Sequence, residues 1–254
     1  MKTFCVILTI VACYASFSQN ILISEDFEGA NLPSGWTINS NATDGGWNLG
    51  TNQTLESQWW SIAPHGNFIG TNDDDCDCDK SMDYLIMPAM DFSNSTAISL
   101  QFENYYDGGS FGGDTETATL EYSLNNGNSW SVISEINGTD DGAWDTQSFD
   151  LSSLTGNPSV LIGFHYNDNG GWMFGWAIDD VMLFEPEGLD AAITSLSVNS
   201  SQDAPTTIPI TGTVSNIGAE TINSFDITWS LGGGAAYTQN FSGLNMVSLG
   251  TYNF

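Results

Sequence analysis

The chain has 254 residues, with 31 Asp and Glu against two lysines and no arginine, giving a formal charge of −29. Clustered Lys and Arg are what neutralise phosphates, so nucleic acid is excluded as a partner, and direct binding to anionic membranes is excluded on the same ground. Aromatics and Gly are frequent and Lys and Arg almost absent, a composition that points to an all-β chain. The N-terminus reads as a signal peptide over residues 1–18: Lys2, an apolar run from Phe4 to Ala12, then small and polar residues up to cleavage near Ser18-Gln19. Ile10-Val11-Ala12-Cys13 supports a second reading, a lipobox that would make Cys13 a lipidated anchor. Both place the mature protein outside the cell, secreted or on a bacterial surface.

Beyond the leader, β-type runs alternate with turn signals. Strands are expected over Ile21 to Phe27, Trp36 to Ser40, Met82 to Met87 and Ala97 to Tyr105, the last with Ile98, Leu100 and Phe102 on one face. Thr117 to Leu124 and Ser129 to Ile136 flank Asn125-Asn126-Gly127-Asn128, whose Asn-Gly pair supplies the positive φ angles of a tight hairpin. Trp144 to Leu151, Ser159 to Tyr166 and Phe174 to Phe184 complete a set that closes most naturally as an antiparallel jelly-roll β-sandwich over residues 19–185. After the linker Glu185-Pro186-Glu187-Gly188 the composition shifts to Ser, Thr, Ile and Val. Ala191 to Asn199, Thr206 to Val214 and Phe225 to Leu231 pattern as strands of a partial immunoglobulin-like β-sandwich. Such domains need about 100 residues, so residues 189–254 read as a domain cut short.

The densest charge is Asp73-Asp74-Asp75-Cys76-Asp77-Cys78-Asp79, closed by Lys80. Five carboxylates in seven residues repel one another unless a hard cation joins them, and calcium is the expected structural cofactor, with an affinity on the order of 0.1–1 mM. The Gly and Glu of an EF-hand loop are missing. Cys76 and Cys78 either form a small-ring disulfide or remain thiols; zinc would need further ligands, and His65 is the nearest.

No catalytic constellation emerges. Gly108-Gly109-Ser110-Phe111-Gly112 matches a nucleophile-elbow pattern, but a strand rather than a helix is expected after it, so it reads as a hairpin loop. Ser123-x-Asn125-x-Gly127-x-x-Trp130 resembles a single Asp-box turn. His65 and His165 stand isolated in the sequence, and carboxylate pairs are too abundant here to mean anything. Trp36 and Trp176 lie on apolar strands and belong to the core. Trp59, Trp60 and Trp172 sit among polar or Gly-rich neighbours and are the candidate ligand-binding aromatics; adjacent strand residues face opposite ways, so one of Trp59 and Trp60 should reach the surface.

Several motifs occur together in one order. Glu25-Asp26-Phe27-Glu28-Gly29 with Leu32-Pro33-Ser34-Gly35-Trp36 opens the series, followed by Thr43-Asp44-Gly45-Gly46-Trp47, Asp83-Tyr84-Leu85-Ile86-Met87-Pro88 and Trp176-Ala177-Ile178-Asp179-Asp180-Val181. Over residues 21–184 this resembles the cleaved-adhesin or choice-of-anchor J modules of secreted Bacteroidetes proteins, relatives of the MAM domain. The resemblance implies a calcium-stabilised jelly roll acting as a non-catalytic adhesion module for glycan or extracellular protein. It also implies that Glu28 and Asp179, on neighbouring first and last strands, share a cation. Asp180 would point to the opposite face in a regular strand. The alternative is an accessory region of a larger secreted hydrolase whose catalytic domain lies elsewhere.

Overall fold

The computed structural model describes residues 19–139, 142–198, 209–230 and 234–254. The expected signal peptide over residues 1–18, with Cys13, lies outside the described residues, as do residues 199, 206–208 and 231 of the expected later strands. The chain divides into two compact units, one of Ile21–Glu185 and one holding Pro186–Phe254.

The first unit begins with β1 (Asn20–Glu25), β2 (Thr37–Asn39), β3 (Asn48–Gly50), β4 (Phe68–Asn72), β5 (Asp83–Ile86) and β6 (Ser99–Tyr106). It continues through β7 (Ser110–Phe111), β8 (Asp114–Thr115), β9 (Thr117–Ser123), β10 (Ser131–Glu135), β11 (Asp145–Asp150), β12 (Leu161–Asn167) and β13 (Gly175–Glu185). One sheet runs β11-β6-β13-β4-β3, with β1 also paired to β13; the other runs β10-β9-β12-β5-β2. The two form a β-sandwich whose core is built from the inward residues of both. Phe102 of β6 meets Phe164 of β12 edge-to-face at 5.1 Å, and Trp176 of β13 meets Phe164 at 5.9 Å. All three are buried, each contributing roughly 1.5–3 kcal/mol or more through its apolar area. Asn126 and Gly127 take φ of 57° and 80°, the positive pair that the β9–β10 hairpin requires. The Gly108–Gly112 segment forms the β7–β8 hairpin.

Besides the short β7–β8 hairpin, two strands of this unit escaped the pattern. β4 is buried along almost its whole length, with Phe68 in a small cluster beside Trp60 and Ile69 in the main core, so it does not alternate. Its partner β3 is three residues long. Among the described residues helix is confined to the single turns α1 (Asn52–Leu55) and α2 (Asp73–Cys76) and a 3-10 turn at Ser152–Leu154.

The second unit contains β14 (Ala191–Val198), β15 (Ile210–Asn216), β16 (Ile222–Ser230), β17 (Ala236–Met246) and β18 (Thr251–Asn253). Sheet β14-β15-β18 and hairpin β16-β17 share a small core of Val214, Ile222 and Met246, joined by the rings of Phe225, Phe241 and Tyr252.

Lys80, the one Lys or Arg among the described residues, is fully buried. Its Nζ donates to Asp44 Oδ2 at 2.9 Å and Oδ1 at 3.1 Å, and lies 3.6 Å from the carboxylate of buried Asp83. Asp83 also accepts from Thr71 of β4, and its backbone carbonyl accepts from Trp47 Nε1 at 3.1 Å. Burial raises the Asp83 pKa, while the Thr71 hydroxyl and the Lys80 charge pull it down. Asp44 reaches Lys80 from a turn in which Gly45 and Gly46 have φ of 90° and 85°; a side chain on Gly46 would collide with Asp83. Breaking such a buried pair from one side leaves an uncompensated charge. Lys80→Ala should therefore lower unfolding free energy by roughly 3–5 kcal/mol, with Lys80→Met/Asp83→Asn losing less, as read by urea denaturation.

Candidate functional site

β1 pairs with β13, and Asp26 and Glu28, just after β1, lie close enough to Asp179 of β13 for their charges to act on it. Phe27 takes a φ of 47° and buries its ring in the core, leaving Asp26 and Glu28 exposed on either side of it. Glu28 lies against Gly66 and accepts from Asn67: Oε1 from the backbone N–H at 3.1 Å, Oε2 from Nδ2 at 2.9 Å. In β13 the register against β6 shifts between Asp179 and Met182, and Asp180 has a φ of 46°. This β-bulge corrects the regular-strand expectation for Asp180. It turns both aspartates toward one point, with Asp179 Oδ2 and Asp180 Oδ2 lying 3.7 and 3.5 Å from His65 Nε2. His65 is therefore not isolated. Its ring stacks on Trp144 at 4.5 Å, and Trp144 Nε1 donates to the Ala63 carbonyl at 2.8 Å.

Asp179 is 3 % exposed. Burial pushes its pKa to about 8; the Asp180 N–H donated to Oδ1 at 2.8 Å opposes this, and the charges of Asp180, Glu28 and Asp26 add to it. The atoms converging here are the carboxylates of Asp179 and Asp180 and the imidazole of His65. The only lysine of the described residues is committed to Asp44 and Asp83. His65, Asp179 and Asp180 each bring one ligand atom within 4.8 Å of the others and are the residues that could hold a metal here, with Glu28 and Asp26 adding negative charge nearby.

The acidic loop behaves differently. Asp73 is buried and accepts from the Met173 N–H at 2.7 Å, while Asp74 Oδ2 accepts from the Trp59 N–H at 3.1 Å. Asp75 donates its own N–H to Asn72 at the head of α2, Asp77 ends the turn at a φ of 42°, and Asp79 accepts from Ser81. Among the described residues, no three carboxylates of this loop approach one another as a metal-holding group. Helix formation at Asp73–Cys76 splays successive side chains about 100° apart, which is why a linear count of charges did not become a cluster. Cys76 and Cys78 are joined as a disulfide with Cα atoms 5.1 Å apart.

A third feature lies beside this loop. Trp59 is 66 % exposed, Phe111 58 % and Trp172 45 %. Trp172 meets Phe111 edge-on at 6.2 Å and donates Nε1 to the Asp74 carbonyl at 2.9 Å. Asp74 thus anchors Trp59 through its carboxylate and Trp172 through its backbone. Trp60 is corrected to a core residue: it is fully buried near Tyr105, and only Trp59 of the pair offers a surface ring. Next to Trp59 opens a cleft of about 540 Å³ lined by Asn52, Glu56, Pro64, Tyr105 and Asp107. Phe111 was read from the sequence only as part of a hairpin loop. His165 is structural, held between Glu121 at 3.0 Å and the Ser81 carbonyl at 3.1 Å and stacked on Tyr84.

No protein-family model matches the chain, and no curated protein matches it. Among solved structures it is similar to cleaved adhesin domains of Lys-gingipain from Porphyromonas gingivalis W83. The K1 domain is 20 % identical over 63 % of this chain and 96 % of that one, with a TM-score of 0.40. The K3 domain is 16 % identical over 65 % and 99 %, with a TM-score of 0.46. The CBM22-1 xylan-binding domain of Xyn10C from Paenibacillus barcinonensis is 13 % identical over 67 % and 98 %, with a TM-score of 0.43. The family that the sequence motifs resemble is thus present among the structural neighbours. With each of these scores below 0.5, the role of this chain has to be read from its own side chains.

Asp179 has a definite pH signature. Its folded pKa of about 8 lies above the ordinary aspartate value, so without a cation the folded protein holds a proton that the unfolded chain has released. The stability this contributes is present below about pH 4 and lost as pH rises through about 8. In chelator the melting temperature should fall across that window, less steeply in Asp179→Asn, and calcium should flatten the fall by replacing the proton. Thermal scans at several pH values, with and without calcium, measure it.

Proposed function

We propose that this chain is an extracellular, calcium-stabilised binding module that holds glycan on the exposed rings of Trp59, Trp172 and Phe111 without chemical turnover. The observation that carries this reading is the pairing of exposure with fixation. Three large aromatics face solvent, Phe111 on β7 and the two tryptophans on loops, and Asp74 holds both the Trp59 backbone N–H and the Trp172 indole. Exposed rings that are also ordered meet a planar ligand with little further loss of freedom, which is how stacking surfaces gain affinity. The adjoining cleft contributes Glu56, Asp107 and Asn52 as hydrogen-bonding groups for hydroxyls.

Charge narrows the ligand. Carboxylates beside the rings and a net charge of −29 disfavour sulfated, sialylated or uronic polymers, leaving neutral and amino-sugar glycans. Calcium at the junction of β1 and β13 belongs to the same reading as a structural ion that joins the first and last strands of the sandwich. Export rests on the apolar leader of residues 1–18.

A glycan array followed by calorimetry on the best neutral or amino-sugar hit tests this. Truncating a central aromatic typically removes about 2 kcal/mol or more of binding energy, so Trp59→Ala and Trp172→Ala should each weaken binding roughly 30-fold while leaving melting nearly unchanged. Wild-type affinity in both variants, or silence across the array, would exclude the aromatic surface as a glycan site.

A further inference from the structure

The loop that carries Trp172 closes over α2 and hides a second group of acids. Asp73 and Asp74 donate their backbone N–H groups to the Phe174 carbonyl at 2.8 and 3.2 Å, and Met173 returns an N–H to Asp73 Oδ2 at 2.7 Å. Beneath this lid Glu116 is fully engaged. Its Oε2 accepts from Tyr166 Oη at 2.6 Å and from the Phe174 N–H at 3.1 Å, and its Oε1 accepts from the Gly109 N–H at 3.1 Å. Asp73 and Asp168 are not fully engaged. They are 0 % and 3 % exposed, and in each the Oδ1 atom is buried with no hydrogen-bond partner. Asp168 is also the neighbouring charge that acts most strongly on Asp73.

A buried carboxylate oxygen without a partner is rare, and two facing the same interior call for an ion or water that satisfies both. The charge balance favours an ion. Asp73 feels the charges of Asp168 and Asp77, and the one lysine that offsets them, Lys80, is hydrogen-bonded to Asp44 and lies against Asp83. We propose that a divalent cation, calcium by its preference for hard oxygen donors, bridges Asp73 and Asp168 as a second site separate from the β1–β13 junction. The bridge ties the loop of Asp168–Phe174 to α2. Where the glycan reading holds, it also steadies the two backbones from which Trp172 and Trp59 project.

Calcium calorimetry on the chelator-stripped full chain at physiological ionic strength is the test, with Asp168→Asn, Asp73→Asn and Asp179→Asn alongside. Wild type should bind two ions and each variant one. In chelator Asp168→Asn should melt at or above wild type, because a like charge is gone, and it should gain less from added calcium. Unchanged stoichiometry in both Asp168→Asn and Asp73→Asn would overturn the proposal and leave water or a shared proton as the partner. Equal destabilisation of Asp168→Asn with and without calcium would overturn it too. A single ion lost only in Asp179→Asn sinks this second site and spares the junction; one lost only in Asp168→Asn and Asp73→Asn does the reverse.

Discussion

Lys80 is buried with its ammonium between Asp44, at the surface, and the buried Asp83, and this contact ties together parts of the first unit that are distant in sequence. Three separate pieces of chain meet there: the turn of Thr43 to Trp47, β5 carrying Asp83, and β4 carrying Thr71. A buried ion pair is a weak source of net stability but a strong specifier, because each member is costly without the other. It explains why the turn before Trp47 needs Gly46, whose missing side chain leaves room for Asp83. It also removes the only fixed positive charge of the described residues from the rest of the molecule. Every other acid that is buried must find a hydrogen-bond donor, a proton or a dissolved cation.

The buried acids divide along that line. Glu116 and Glu121 are surrounded by donors, Glu116 by Tyr166, Gly109 and Phe174, and Glu121 by His165, Thr119 and Tyr84. The donors hold Glu121 below its usual pKa, whereas deeper burial outweighs them at Glu116. Asp179, Asp73 and Asp168 have fewer donors, and each lies beside at least one other carboxylate. Those three are the acids for which we propose ions, and they fall at the two places that join distant parts of the chain: first strand to last, and α2 to the loop before β13.

The aromatic surface depends on the same division of labour between frame and loop. The sheets supply a rigid support, and the exposed rings stand on short connections whose backbones are held by Asp74 and by the carbonyl of Phe174. Loops so fastened present side chains almost as reproducibly as strands do, while tolerating the exposed aromatics that a strand would bury.

Much of this architecture could be read along the chain. The alternation in β6, β9 and β12, the Asn126-Gly127 hairpin and the core positions of Trp36 and Trp176 are local signals, each decided by a few neighbouring residues. β4 and β3 were not legible, since a strand buried on both sides loses its period and a three-residue strand exists only through its partner. Nor were the sites. Sequence order made a cluster of Asp73 to Asp79 and a loner of His65, and folding reversed both. One helical turn sends the loop acids in different directions, while a single-residue bulge at Asp180 brings Asp179 and Asp180 together at His65, far earlier in the chain. Composition alone determined that the chain is all-β, acidic and short of counter-charge. Which acids are buried, which oxygens lack partners and which tryptophan faces solvent were decided only by the tertiary structure, because convergence and burial are properties of contacts between distant segments.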